Sequence, residues 1–413
     1  MSAEMAIDKP QAPKLNVDEY LTTALSATPA ELHPFFISFQ DLYSRKLWHQ
    51  LTLKLAEFFD HPLSRPYRVD VFDRFVRDFE TKLNQLKLVE MGVKVAREID
   101  NPNAHLIFLK SLLERIPQDK APDAHVLLLA SLAHAKLLYG DAEGTKTDMD
   151  AAWAILDALP SVENRVRAAY YKLAADYYKA KAEYAPFYRT SLLFLACIDL
   201  AELEPDERLL RAHDLSVSAF LGESIYNFGE LLMHPILDTL NGTQHEWLKK
   251  LLYTFNEGNI GKFEALAPLF PREPILQENY AFMRQKICLM ALIESVFKRG
   301  AYDRTLSFQT IAEETRLPKD EVEHLVMKGL RSVSLRLRYL HYTSLTAMHI
   351  FIHSLGLIKG HLDQVDEKAY FTWVQPRVLS LDQIGVLSQR LKTWGDKLHK
   401  VEDRVAPEVT ATA

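Results

Sequence analysis

From about Pro34 to residue 300 the large apolar residues recur every three or four positions, as in FFISFQDLYSRKLWHQLTLKLAEFF. That is the period of one helix face, and strand alternation is hard to find in the same stretch. A helical hairpin is plainest between Ala124 and Leu159, where HVLLLASLAHAKLLY runs into Gly140-Asp141 and DMDAAWAILDAL follows. The glycine falls where a helix end favours a left-handed residue. The next run, RVRAAYYKLAADYYKAKAEY, spaces small and aromatic residues like one helix nesting against another. Consecutive hairpins of this length predict a right-handed, tetratricopeptide-like solenoid over residues 34–210, although no repeat consensus is matched residue for residue.

Around residue 300 the texture changes. SFQTIAEETRLPKDEVEHLVMKGL reads as two short helices joined by a turn at Arg316 to Pro318, with Ser307 as N-cap and Pro318 at the start of the second helix. Downstream, Leu357 to Leu362 and Ala369 to Val374 form a predicted strand pair around a turn at Asp363 to Lys368. Helix, turn, helix and a two-stranded wing predict a winged helix over residues 301–376, preceded by a helical part over 211–300. Beyond it Ile384, Leu387, Leu391, Trp394, Leu398 and Val401 are spaced 3, 4, 3, 4, 3, and Val405 continues the series at 4. This heptad seam predicts a terminal helix over 377–405 that needs other helices to cover it. Burying six such side chains contributes about 10 kcal/mol before the entropy cost. A bundle with partner chains is the preferred reading, and folding back onto its own domain the alternative. The expected fold class is all-α with a small β wing.

Composition sharpens the picture at the ends. Residues 1–33 hold Pro10, Pro13 and Pro29 among small polar residues and are expected to be a flexible tail, as are residues 406–413. Only 14 of 413 residues are glycine, about half the usual share, which counts against nucleotide-binding sheets and β-sandwiches. The balance of 49 basic against 55 acidic residues leaves a net charge of −6, which gives no general attraction to nucleic acid or anionic membrane. Cys197 and Cys288 lie in apolar runs and read as buried free thiols of a reducing compartment. The N-terminus carries no signal-peptide pattern, and the apolar run Leu345 to Ile358 is short and contains His349 and His353, which argues against a membrane span. Cytoplasm and nucleus are the expected locations.

The sequence offers no catalytic candidate. Gly258-Asn259-Ile260-Gly261-Lys262-Phe263 has two residues between its glycines where a phosphate loop needs four, and ends in Phe rather than Ser or Thr, so a helix-connecting turn is expected. His349 and His353 are spaced for one helix face but enclose no glutamate, and His245-Glu246 has no second histidine at the offset of a zinc protease. There is no GxSxG, and neither cysteine has a local sign of activation. Catalytic residues, cofactors and metals are therefore all expected to be absent.

The second helix of the winged module, Lys319 to Lys328, carries three acids against two lysines. Its acidic first turn would repel phosphates, and no Arg, Asn or Gln is placed to read base edges. A protein-binding wing is the expectation, and neither nucleic acid nor membrane is expected as partner.

The run from Phe220 to Pro235, FLGESIYNFGELLMHP, followed by EWLKKLLYTFNEGNIGKFEAL, resembles the PCI domain shared by subunits of the proteasome lid, the COP-nine signalosome and initiation factor three. LYSRKLWHQLTLKLAEF, NFGELLMHPIL, DEVEHLVMKGL and FTWVQPRVL are similar to the non-ATPase regulatory subunit 13 family of the 26S proteasome, and the likeness spans about residues 40 to 400. The resemblance implies a helical-repeat arm over 34–210, a PCI domain over 211–376 and a C-terminal bundle helix. It implies a non-catalytic scaffold subunit of the 19S regulatory particle lid, serving ubiquitin-dependent degradation. The partners it implies are other lid subunits, met through PCI–PCI contacts and through the helical bundle seam. The alternatives are a subunit of the signalosome or of initiation factor three, or a winged-helix nucleic-acid adaptor.

One departure from the family is marked. There the helix ending Met327-Lys328-Gly329-Leu330 runs almost directly into a stretch like Ser354 to Leu357, whereas here Arg331 to His353 intervenes with no Asp, Glu, Gly or Pro. Translated intron or another gene-model artefact is the first reading, and a genuine surface insertion the second. A retained segment would sit between helix and wing and disturb lateral packing of the PCI modules.

Overall fold

The computed structural model describes residues 17–300, 303–330, 355–376, 384–385 and 387–399. The chain divides into two compact units, Met1–Glu202 and Leu203–Ala413. Among the described residues it is all-α with a small β wing.

The first unit contains α1 (Val17–Ala27), α2 (His33–Ser44), α3 (Trp48–Asp60), α4 (Arg68–Arg74), α5 (Gln85–Ala96), α6 (Pro102–Arg115), α7 (Pro122–Leu138), α8 (Ala142–Ala158), α9 (Asn164–Ala180) and α10 (Tyr184–Cys197). Successive helices pack in pairs, α7 on α8 and α9 on α10 most extensively, in a solenoid-like arrangement. Val126 to Ala130 are five consecutive buried residues because α7 also touches α5, α6 and α9, and a helix stretch enclosed by neighbours is apolar beyond a single stripe. The α7–α8 hairpin turns as its sequence foretold. Gly140 adopts φ +87, and Asp141 caps α8 by accepting the N–H of Gly144 at 2.9 Å.

Of the expected tail over residues 1–33, the described part is helical over α1, and residues 1–16 lie outside the described residues. Val17 and Leu21 are buried, and Tyr20, Ala24 and Leu25 pack against the same core. These positions repeat at helical spacing within VDEYLTTALSA, a signal masked by the prolines on either side.

The second unit contains α11 (Pro205–Leu221), α12 (Gly229–Met233), α13 (Glu246–Glu257), α14 (Ile260–Leu266), α15 (Pro274–Glu278) and α16 (Tyr280–Lys298). The winged module follows as β1 (Thr305–Ser307), α17 (Phe308–Thr315), α18 (Lys319–Gly329), β2 (Ile358–Asp363) and β3 (Lys368–Val374). Gly258 ends α13 with φ +66, and Asn259 caps α14 by accepting the N–H of Lys262, so this stretch is a helix-connecting turn. The long helix α16 buries its middle, including Lys286, which is 1% exposed. The Lys286 ammonium closes the C-terminal end of α11 by donating to the carbonyls of Ala219, Phe220 and Gly222 at 2.7, 3.1 and 2.7 Å.

The sheet is antiparallel, with strand order β1-β3-β2. β2 and β3 are the anticipated pair, and β1 is an addition: three residues are too few to show alternation, and they lead straight into the Ser307 cap. A bulge between Lys359 and Gly360 breaks the register, and a Cβ on Gly360 would lie 2.0 Å from the Tyr370 carbonyl oxygen. The intervening Arg331 to His353 lies outside the described residues. On its two sides the chain is joined: the N–H of Leu355 donates to Lys328 and that of Leu357 to Gly329.

Candidate functional site

The winged helix is set by local chemistry. Ser307 accepts the N–H of Thr310 at 3.1 Å, fixing the start of α17, and Arg316 ends it in the left-handed region at φ 50. Pro318 then stands at the N-cap of α18, where its missing N–H costs nothing. Val322, Leu325 and Val326 are buried, which turns Asp320, Glu321 and His324 outward. Lys319 pairs with Glu367 and Glu323 with Gln364, so the first turn of α18 and the wing hairpin hold one another. On β3 and β2, Lys359 lies over the Trp373 ring at 5.0 Å and His361 stacks on Tyr370 at 4.7 Å. The exposed face of α18 thus begins with two carboxylates at a helix N-terminus, where the helix dipole stabilises them and a phosphate backbone would be repelled.

The C-terminal seam is helical over residues 387–399. Ile384, Leu387, Leu391, Trp394 and Leu398 are 48, 45, 59, 62 and 49% exposed. Val401 lies outside the described residues, as do His349 and His353.

Cys197 is half-buried and Cys288 buried. Burial raises the pKa of both thiols, that of Cys288 to about 11, so neither is poised as a thiolate.

Three residues that local spacing does not connect meet in the second unit. His213 on α11, His245 at the N-cap of α13 and Glu273 at the N-cap of α15 bring their side chains together. Nε2 of His213 lies 2.8 Å and Nδ1 of His245 3.5 Å from the same Glu273 Oε1. The imidazole centroids are 4.7 Å apart. The Asp214 hydrogen bond and the Glu273 carboxylate raise the pKa of His213, while burial and then the neighbouring His213 lower that of His245. His213 and Glu273 stand 60 positions apart, so only the fold reveals the group.

Stacked helix pairs and a terminal winged helix place the chain in the class of helical-repeat, winged-helix proteins. Kinship then narrows the class. Residues 35–252 match the family model described as PSD13 N-terminal repeats. The chain is 39% identical over 391 residues to the probable 26S proteasome regulatory subunit rpn9 of Schizosaccharomyces pombe, covering 95% of this chain and 96% of that one. It is 37% identical over 390 residues to the 26S proteasome non-ATPase regulatory subunit 13 homolog A of Arabidopsis thaliana, covering 92% and 95%. With the 26S proteasome regulatory subunit RPN9 of Saccharomyces cerevisiae it shares 36% identity over 399 residues, covering 93% and 95%. The chain belongs to the family of 26S proteasome regulatory subunit 13, also named Rpn9. Among its described residues no helix is long and apolar enough to cross a membrane.

Proposed function

We propose that the chain is a non-catalytic structural subunit of the lid of the 19S regulatory particle, acting in the cytoplasm and nucleus to support lid assembly and ubiquitin-dependent protein degradation. The observation that carries this reading is family membership over nearly the whole chain, with relatives named as 26S proteasome regulatory subunits. In this reading residues 34–210 are the repeat arm and 211–376 the PCI domain. The wing edge and α18 meet neighbouring subunits side by side, and the seam from Ile384 to Val401 enters a bundle with their helices. Support for the seam comes from the exposure of five large apolar side chains at heptad spacing, a surface that water disfavours. Support for a protein rather than a nucleic acid at the wing comes from the acidic first turn of α18.

Affinity purification of the full chain from cells, read by quantitative mass spectrometry, tests the reading. Lid subunits at equal stoichiometry are expected. Recovery of signalosome or initiation-factor subunits instead, or of nucleic acid released steeply by salt, would overturn it.

A further inference from the structure

We propose that His213, His245 and Glu273 bind one divalent metal ion, zinc before harder cations, which fastens α11 to the segments that open α13 and α15.

The donor atoms are already gathered, since all three ligand atoms lie within 4.8 Å of one another. Bonds of about 2.0–2.1 Å in a tetrahedral site put neighbouring donors about 3.4 Å apart. The observed separations of 2.8 and 3.5 Å from Glu273 Oε1 bracket that value. A proton shared between His213 and Glu273 accounts for one of these contacts only. It leaves the Nδ1 of His245 facing the same oxygen at the outer limit of a hydrogen bond, with a second imidazole beside it. A doubly charged cation serves both nitrogens and the carboxylate together.

The donor set selects the metal. Two imidazoles and one carboxylate match zinc with a fourth position for water, whereas calcium and magnesium prefer all-oxygen shells. The surroundings also suit a ligated histidine. Nδ1 of His213 faces Asp214 Oδ1 at 3.4 Å, the carboxylate–histidine relay that orients a metal-bound imidazole. The three side chains are 20, 22 and 19% exposed, enclosed enough to shed bulk water yet open to an entering ion. Rigid packing holds the two helix starts, since the rings of Trp247 and Phe270 meet at 5.9 Å beside them. None of these residues joins the surfaces assigned to partners, so the metal's role is to brace the second unit.

The full chain, freed of metal by chelator and dialysed, would be titrated with zinc chloride by calorimetry and melted with and without one equivalent. One zinc per chain and a higher Tm are expected, with no comparable response to calcium or magnesium. His245→Gln and Glu273→Gln should each weaken zinc binding by at least about tenfold and abolish the zinc-dependent rise in Tm, while the circular dichroism spectrum stays unchanged. Absence of stoichiometric zinc binding, or equal binding by both variants, would overturn the proposal. Should a variant misfold, the unaltered chain still decides: zinc must protect His213 and His245 from diethyl pyrocarbonate, and unprotected histidines would overturn it as well.

Discussion

The backbone N–H of Leu355 donates to the carbonyl of Lys328 at 3.1 Å, directly across the chain position where Arg331 to His353 intervenes. The N–H of Leu357 likewise reaches Gly329 at 3.0 Å, and Gly356 between them has φ +65. Were residues 331–353 removed, Leu355 would follow Lys328 by four places and Leu357 would follow Gly329 by five. Those are the spacings of a helix end closed by a left-handed glycine. The two sides of the segment therefore meet as a ready-made helix cap.

Deleting residues 331–353 should consequently leave the fold intact, with Tm within about 3 °C of the unaltered chain. Thermal melting followed by circular dichroism checks this. A collapse of the cooperative transition would show that the segment contributes to the core of the second unit.

Lys286 supports a second prediction. Its ammonium is the donor to three carbonyls around the end of α11 and lies 5.3 Å from the Tyr226 ring centroid. Lys286→Met keeps the length of the side chain but leaves buried carbonyls unpaired, which should cost about 2 kcal/mol in denaturant unfolding at neutral pH. Burial lowers the pKa of Lys286 well below 10.5. Between that lowered value and 10.5 the unfolded chain holds the proton and the folded chain does not, so the contribution of Lys286 to stability rises with pH. The gap between the unaltered protein and Lys286→Met should therefore widen as pH climbs toward 10.5, and a gap that narrows would contradict the assignment.

What the sequence disclosed divides along the reach of the interactions involved. The α7–α8 hairpin, the Ser307 cap and the β2–β3 pair are fixed by residues only a few positions apart, and each was legible as a spacing or a turn residue. The three residues of β1 gain meaning only from pairing with Thr305↔Tyr370 and its neighbours, far along the chain. Lys286 gave a partial signal, a lone cation inside KICLMALI, yet its acceptors lie 64 to 67 positions away. The meeting of His213, His245 and Glu273 gave none, because each sits in a different helical context and only the packing of α11, α13 and α15 unites them. Membership in the family was legible in full, since long ordered motifs survive where single contacts are hidden.

Two glycines separate backbone strain from close packing. Gly258 and Gly140 both occupy the left-handed region, at φ +66 and +87. A Cβ at Gly258 would lie 2.8 Å from the Cα of Ala291, whereas nothing stands within 4 Å of one at Gly140. Gly140→Ala should therefore cost about 1 kcal/mol through strain alone, and Gly258→Ala about 2 kcal/mol or more because α16 must also move. Equilibrium unfolding of the two variants measures the difference, and equal losses would show that α16 yields without cost.

The C-terminal seam offers the sharpest separation of folding from assembly. Leu391 and Leu398 are 59 and 49% exposed, so replacing them removes little burial within the chain itself. In a bundle the same side chains would be enclosed, and each leucine lost would forfeit about 2 kcal/mol of burial while its aspartate lost hydration. Leu391→Asp combined with Leu398→Asp should thus weaken association by roughly 4 kcal/mol, close to a thousandfold. The melting temperature of the isolated chain should stay within about 2 °C of the unaltered protein. Co-purification with lid subunits and a thermal melt, measured on the same preparation, read the two effects apart. Persistent co-purification would remove the seam from the interface, and a large fall in Tm would assign those leucines to the chain's own core.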